Sequence, residues 1–281
     1  MSVSLAQLQR LKRQAGHRGA APAAAATVAV APRQASLDDL RRLLRVRAPE
    51  RVARPLDADR GLPGVEVAPS VRLLERRLPM EPAPAEIDGA FARRDAIARD
   101  RLLFFDTETT GLSGGTGTRA FMIGAADWQG DALRIRQLYL TATAGEADML
   151  ALFRQWLRPD TVLSSYNGKC YDAPLLATRY RLCRMDNPLA GLAHVDLLHP
   201  TRRRFRGVWE NCRLATIERN RLRIVREDDL PGAQAPAAWL HYLRGGSAHD
   251  LRRVVAHNHQ DVVTLARLLL DLSQGEAGKV A

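Results

Sequence analysis

Residues Leu102–Gly111 read LLFFDTETTG, four apolar residues running directly into Asp106, Thr107, Glu108, Thr109, Thr110 and Gly111. A short apolar run closed by turn-forming residues predicts a buried strand. Side chains at i and i+2 of a strand point to one face, so Asp106 and Glu108 should leave the end of a hydrophobic strand side by side. Two carboxylates so placed repel each other and resist desolvation unless a cation or a proton compensates. That is a place to hold metal, although a strand ending in an ordinary polar turn would show the same residues.

Composition narrows the partners. The 281 residues are 46% hydrophobic, enough for a sizeable core, and carry a formal net charge of +11. A chain this basic favours an acidic polymer, nucleic acid first, yet only three of its basic residues are lysines (Lys12, Lys169 and Lys279). Part of the arginine excess is therefore open to a compositional explanation. Cys170, Cys183 and Cys212 form no C-x-x-C pair, which argues for free thiols and against a disulfide frame or zinc knuckle. No apolar run reaches the roughly 18 residues of a membrane span, and no signal core follows the N-terminal charges. The expected location is the cytoplasm, with no membrane partner; protein partners are not indicated.

Outward from the strand, the chain divides into four parts. Residues 1–35 hold Arg10, Lys12, Arg13, Arg18 and Arg33 and no acidic residue, a disordered basic arm. Residues 36–99 form a flexible extension and linker: a helix on Leu37, Leu40, Leu43 and Leu44, strand-like order over Val65–Leu78, and a Pro-rich link from Glu81 to Glu86. Residues 100–273 form the compact domain, and 274–281 a tail. Within the domain, strands at Phe121–Trp128 and Leu133–Leu140 should complete a three-strand meander through the Gln129-Gly130-Asp131 turn. A further strand is expected at Thr161–Tyr166, and a short fifth strand or turn at His194–Leu198. Helices are expected at Gly145–Leu157, Asp172–Leu182, Arg213–Val225, Ala237–Leu243 and His249–Leu272. The pattern predicts an α/β fold with a central mixed five-stranded sheet flanked by helices. The loop Gly114-Gly115-Thr116-Gly117 lacks both G-x-G-x-x-G and a Gly-Lys-Ser/Thr ending, so it reads as a mobile hairpin beside substrate and not as a nucleotide cradle.

Two further acidic motifs join the first. Asp172, in Tyr166-Asn-Gly-Lys-Cys-Tyr-Asp172, follows a strand and a tight turn and opens a helix; it is a site acid or a helix cap. In the last helix, Leu251, Val255, Val262, Leu265, Leu269 and Leu272 form an apolar stripe that also contains Asn258. Asp261 lies on one flank with His257 one turn before it, and His259 projects from the other flank. Asp106, Glu108, Asp172 and Asp261 together carry enough negative charge for two hard divalent ions, Mg²⁺ or Mn²⁺. Such a metal pair activates water and stabilises a leaving oxygen in phosphodiester cleavage, with His257 to orient or deprotonate the water.

D-x-E-T-T-G, N-x-x-x-Y-D and H-x-x-x-D in this order resemble the DEDD exonucleases of the ribonuclease-H-like superfamily. More closely, FDTETTGLSGGTGT, SYNGKCYDAPLL, DDLPG and HNHQDVVTL resemble the bacterial YprB-type ribonuclease-H-like domain over about residues 100–272. The resemblance implies a ribonuclease-H-like exonuclease fold and 3′–5′ exonuclease chemistry with two metals on Asp106, Glu108, Asp172 and Asp261. It also departs from its pattern. The branch with a catalytic histidine places it five residues before the last aspartate, where this chain has Ala256. The branch with tyrosine places it four residues before, where this chain has His257. Thr109, Leu112, Asn167, Lys169 and Arg203 are the expected substrate contacts, with Leu112 a wedge against the terminal base or a core leucine. Asp196 is a fifth acid or a helix cap. Arg202–Arg206 (RRRFR) is a phosphate track with a stacking aromatic, or a solvated basic loop. The expected activity is hydrolysis of single-stranded DNA or RNA ends. The alternatives are a nucleic-acid-binding module without catalysis and an endonuclease of related fold.

Overall fold

The computed structural model of the chain describes residues 59–80, 83–111 and 117–275. The expected basic arm, the Leu37–Leu44 helix, Leu112 with most of the glycine loop, and the tail beyond residue 275 lie outside the described residues. In chain order the strands are β1 (Val65–Ala68), β2 (Val71–Pro79), β3 (Glu86–Ile87), β4 (Ile97–Ala98), β5 (Leu102–Thr109), β6 (Ala120–Gln129), β7 (Ala132–Leu140), β8 (Val162–Ser165) and β9 (Ala193–Asp196). The α-helices are α1 (Glu146–Arg154), α2 (Asp172–Leu182), α3 (Leu198–Phe205), α4 (Leu214–Ile217), α5 (Ala235–Leu243) and α6 (His249–Ser273).

The opening stretch is the central strand. On β5, Leu102 and Phe104 enter one hydrophobic core while Leu103 and Phe105 enter the other. A strand buried on both faces reads as a continuous apolar run, which is why LLFF carries no alternation. β5 pairs antiparallel with β6, and β6 with β7 across the Gly130–Asp131 turn. Gly130 sits at φ +61°, the left-handed conformation that two-residue hairpins demand. On its other side β5 pairs parallel with β8, and β8 with β9. α6 lies along the sheet with Leu251, Val255, Val262, Leu265, Leu269 and Leu272 all buried, so the predicted stripe is the packed face.

The sheet has seven strands, in the order β1-β2-β7-β6-β5-β8-β9, and not the expected five. The two additions come from the segment expected to be extension. β2 pairs with β7 along its whole length, from Val71 opposite Leu140 to Pro79 opposite Ala132. Without β2, β7 would present an open row of backbone donors and acceptors, a liability at a sheet edge. Arg72, Glu75, Arg76 and Arg77 make β2 look like surface, because a strand near the edge of the sheet keeps charges outside. The helix expected over Arg213–Val225 is also shorter. Only Leu214–Ile217 is α-helical; Glu218–Leu222 widens into a π-helical turn, ended by Arg223 at φ +55°. That turn presents Glu218 to the site described below.

A fragment starting at residue 100 should therefore aggregate or fail to give a cooperative melt, whereas one retaining β1 and β2 should fold. Circular dichroism melts and size-exclusion chromatography compare the two, and a stable monomer from residue 100 onward would refute the structural role of β2.

Candidate functional site

Asp106 stands where β5 leaves the core, and a polar network inside the protein fixes it. Asn258 of α6 donates from Nδ2 to Asp106 Oδ2 at 2.9 Å. Its own Oδ1 accepts from Gln137 Nε2 at 2.9 Å, and Gln137 also donates to the Val255 carbonyl at 2.8 Å. Asn258 is 0% exposed, so each of these bonds spares a buried polar group the cost of going unpaired. Gly124, opposite Asp106 in register, makes the approach of α6 possible: a Cβ there would lie 2.0 Å from Asn258 Oδ1. Glu108, two residues on, is also buried.

Asp172 reaches the same place from the other side of the chain. It is the first residue of α2 and accepts a hydrogen bond from the Thr107 hydroxyl, so strand β5 and helix α2 are tied together between the two β5 acids. The turn before it is built by Asp196, which accepts from the backbone N–H of Asn167 (2.7 Å), Lys169 (3.1 Å) and Leu198 (3.1 Å). Asn167 takes the left-handed conformation, φ +66°, and Gly168 leaves no room for a side chain, its Cβ position lying 2.4 Å from Ser165 Oγ. Asp196 therefore clamps the turn and caps α3.

Asp261 and His257 arrive on α6, with His257 Nε2 3.4 Å from Asp261 Oδ2. His257 Nδ1 lies 2.6 Å from Asp229 Oδ1 and 3.1 Å from Arg226 Nη1. A ring nitrogen cannot both donate to one and accept from the other. The shorter contact to an anionic oxygen is the stronger, so Nδ1–H donates to Asp229 and Nε2 is the nitrogen left facing the acids. Arg226 is the cation that sequence reading missed. It grips Glu218 with two hydrogen bonds, at 2.7 and 2.6 Å, and donates to Asp261 through Nη2. Glu218 is 1% exposed and takes a further hydrogen bond from Thr264 of α6. Arg226 and Glu218 had no signal of their own in spacing, and Asp229 stood in the DDLPG motif without a role assigned to it. Asn258 did, as a polar residue inside an apolar stripe.

The acids feel one another. Burial, then the charges of Asp261, Asp172 and Glu108, hold the Asp106 carboxyl well above its usual range. Burial, then Asp261 and Asp172, does the same to Glu108, and Arg226 only partly offsets it. Asp172 is pushed up to about 6, mainly by burial and against the Thr107 hydrogen bond. The group therefore has less positive charge than it needs. Ligand atoms of Glu108, His257 and Asp261 come within 4.8 Å of one another; Asp106 and Asp172 reach this cluster through their charge and are not members of it. An oxygen-rich, under-neutralised donor set of this kind fits hard divalent cations.

The remaining expected contacts separate. Thr109 donates its hydroxyl to the Gly111 carbonyl at 2.8 Å and so shapes the turn after β5. Lys169 and Arg203 line one cleft with His194 and His199. Within RRRFR, Phe205 is buried and stacks on Trp209, ring centroids 4.9 Å apart, so it is not available to a base. Arg204 bonds the carbonyls of Asp271 and Gly275. His259 is half-buried; burial and then the charge of Arg76 lower its pKa, and Nδ1 has no hydrogen-bond partner among the described residues. The cluster of metal-capable groups among the described residues contains His257 and does not contain His259.

A mixed sheet with acids at the end of its central strand and on a following helix defines a ribonuclease-H-like domain. The chain belongs to the RNase_H superfamily, the RNase_H_2 family matching residues 103–273. Within it the domain is of the YprB type: the chain is 36% identical over 179 residues to protein YprB of Bacillus subtilis (strain 168). That match covers 63% of this chain and 43% of the relative, so the chain spans less than half of the relative's length. Among solved structures, the family B DNA polymerase of the archaeon Pyrobaculum calidifontis is 20% identical, with a TM-score of 0.43 over 60% of this chain and 24% of the polymerase. A product-bound exonuclease I is 16% identical, with a TM-score of 0.35 over 57% of this chain and 46% of that protein. Among the described residues no helix is long and apolar enough to cross a membrane.

Two stability measurements probe this network. Carboxyls raised in the native state bind protons that the unfolded chain releases, so stability falls as pH rises through such groups. In chelator, the melting temperature should drop as pH is raised from about 4 through 6 and beyond; Asp172→Asn should flatten the slope, and Mn²⁺ at pH 7 should reverse the loss. Arg226→Met leaves Glu218 buried and unpaired, at a cost of about 3–5 kcal/mol. Urea denaturation reads that cost, and an unchanged midpoint would mean that Arg226 does not neutralise the site.

Proposed function

We propose that the domain is a two-metal nuclease hydrolysing phosphodiester bonds, a 3′–5′ exonuclease on single-stranded ends of DNA or RNA. What supports this reading is the cluster of Glu108, His257 and Asp261, whose ligand atoms lie within 4.8 Å of one another, together with the charges of Asp106 and Asp172 that act on the same acids. Asp106, Glu108, Asp172 and Asp261 would hold Mg²⁺ or Mn²⁺. When bound, such ions supply an activated water and charge stabilisation for the leaving oxygen. The 3′–5′ direction comes from the family resemblance.

The chain's own residues supply positioning and proton transfer. Asn258 and Gln137 fix the Asp106 carboxylate before substrate arrives, so little reorganisation accompanies reaction. The Thr107 hydroxyl orients Asp172 in the same way. His257 acts at Nε2, taking the proton of the attacking water as it bonds to phosphorus. Asp229 holds the opposite nitrogen protonated and so fixes tautomer and ring orientation, the role a carboxylate plays behind other catalytic imidazoles. Arg226 moderates the negative charge beside Asp261. Thr109, Leu112, Asn167, Lys169 and Arg203 remain the proposed substrate contacts, to backbone and terminal sugar more than to base edges.

Purified protein with Mn²⁺ or Mg²⁺ should shorten end-labelled single strands from the 3′ end. Asp106→Ala should reduce the rate at least about a hundredfold without lowering the melting temperature in chelator, since it removes a repulsive charge. Cutting of circular single strands would reassign the domain as an endonuclease. Binding without cleavage in either metal would reduce it to a binding module.

A further inference from the structure

Beyond the edge strand β9, a cleft of about 370 Å³ opens between the Asn167–Lys169 turn, α3 and the segment before β4. Its walls include Arg94, Lys169, His194, Asp196, His199 and Arg203. Three permanent cations thus converge from three parts of the chain. The one acid in the cleft, Asp196, turns its oxygens to three backbone N–H groups of the turn and α3 and offsets only part of the three cations, so the lining stays net positive. Among the described residues the ion pairs involve none of Arg94, Lys169 and Arg203. Arg203 places one N–H on the Phe91 carbonyl, which sets its direction and leaves donors to spare.

The fields of these groups overlap inside the cleft. His194 is lowered to about 4, chiefly by burial; the Asp196 charge opposes the shift, and the charges of Lys169 and Arg94 add to it. Its Nε2 is within 2.7 Å of Ser165 Oγ, so a neutral imidazole forms a fixed wall between the cations. Like charges gathered around a concave surface repel one another, and an anion relieves that repulsion. Lys169 ties the cleft to the acid site, being three residues before Asp172 in the turn that Asp196 clamps.

We propose that this cleft binds a backbone phosphate of the single-stranded substrate, one or more nucleotides from the bond being cut. The proposal rests on the nucleic-acid reading given above and adds the place where the strand is held. The acid site repels phosphates until metal is bound, so the Arg94–Lys169–Arg203 cleft supplies the affinity that metal-free protein has for the strand. Sequence-independent binding follows, because a phosphate carries no base identity.

The test measures binding and not cleavage. Fluorescein-labelled oligothymidylate is titrated with the full chain in EDTA, by anisotropy, across a salt series. Each phosphate contact to a single strand contributes about 0.7 to the slope of log K against log salt. Arg94→Gln with Arg203→Gln should lower that slope by about 1.4 and weaken binding roughly tenfold at moderate salt. Arg94→Gln alone, whose side chain makes no hydrogen bond among the described residues, should take half of the slope change and guards against a folding defect in the double variant. Wild-type slope and affinity in Arg94→Gln with a wild-type melt would overturn the proposal. So would protection of the cleft by inorganic phosphate with no change in the oligonucleotide slope. Cleft-dependent binding by a protein that cleaves nothing would leave the proposal standing while the nuclease reading fails.

Discussion

The charges of Asp261 and Asp172 raise the proton affinity of both Asp106 and Glu108, and Glu108 and Asp172 are largely removed from water. Left alone, such a group would protonate, or push its elements apart, because burial and like charge both oppose ionisation. The surrounding architecture answers that constraint. Gly124 lets α6 approach β6, Asn258 and Gln137 hold Asp106, Thr107 holds Asp172, and Arg226 neutralises Asp261 together with the buried Glu218. The elements that contribute these groups are thereby fixed relative to one another, which makes the electrostatic problem also the organiser of the fold.

Arg226 shows that a charge deficit can be shared between the protein and its ligands. One guanidinium serves Glu218, Asp229 and Asp261, and Asp106 and Glu108 stay raised despite it. The π-helical turn after α4 belongs to the same solution, since it places Glu218 under Arg226. Asp229 gains a role from the same cluster: by taking Nδ1–H it decides which face of His257 meets the acids.

The N-terminal strands solve a different problem. β2 covers β7 and leaves the short β1 at the sheet margin, so the long meander does not end in an open edge. The basic cleft at the opposite margin, beyond β9, lies beside the turn that carries Asp172. Phosphate recognition and acid chemistry are therefore joined by a few residues of one clamped turn.

Much of this was legible in LLFFDTETTG and in the order of the acids after it. A doubly buried strand must be apolar throughout, a D-x-E pair must share a face, and a 3.6-residue period must turn Asp261 and His257 to one flank of α6. Those are local rules, and the sequence by itself determined the five inner strands and the packed stripe of α6. Tertiary structure alone decided the rest. Charged β2 read as strand-like but as extension outside the compact domain, because its pairing partner β7 is distant in the chain. Glu218, Arg226 and Asp229 had no role assigned from sequence because their value lies in contacts that no spacing encodes. The assignment of Nδ1 to Asp229 needed three elements in place at once, for a hydrogen bond depends on distances that only the folded chain sets.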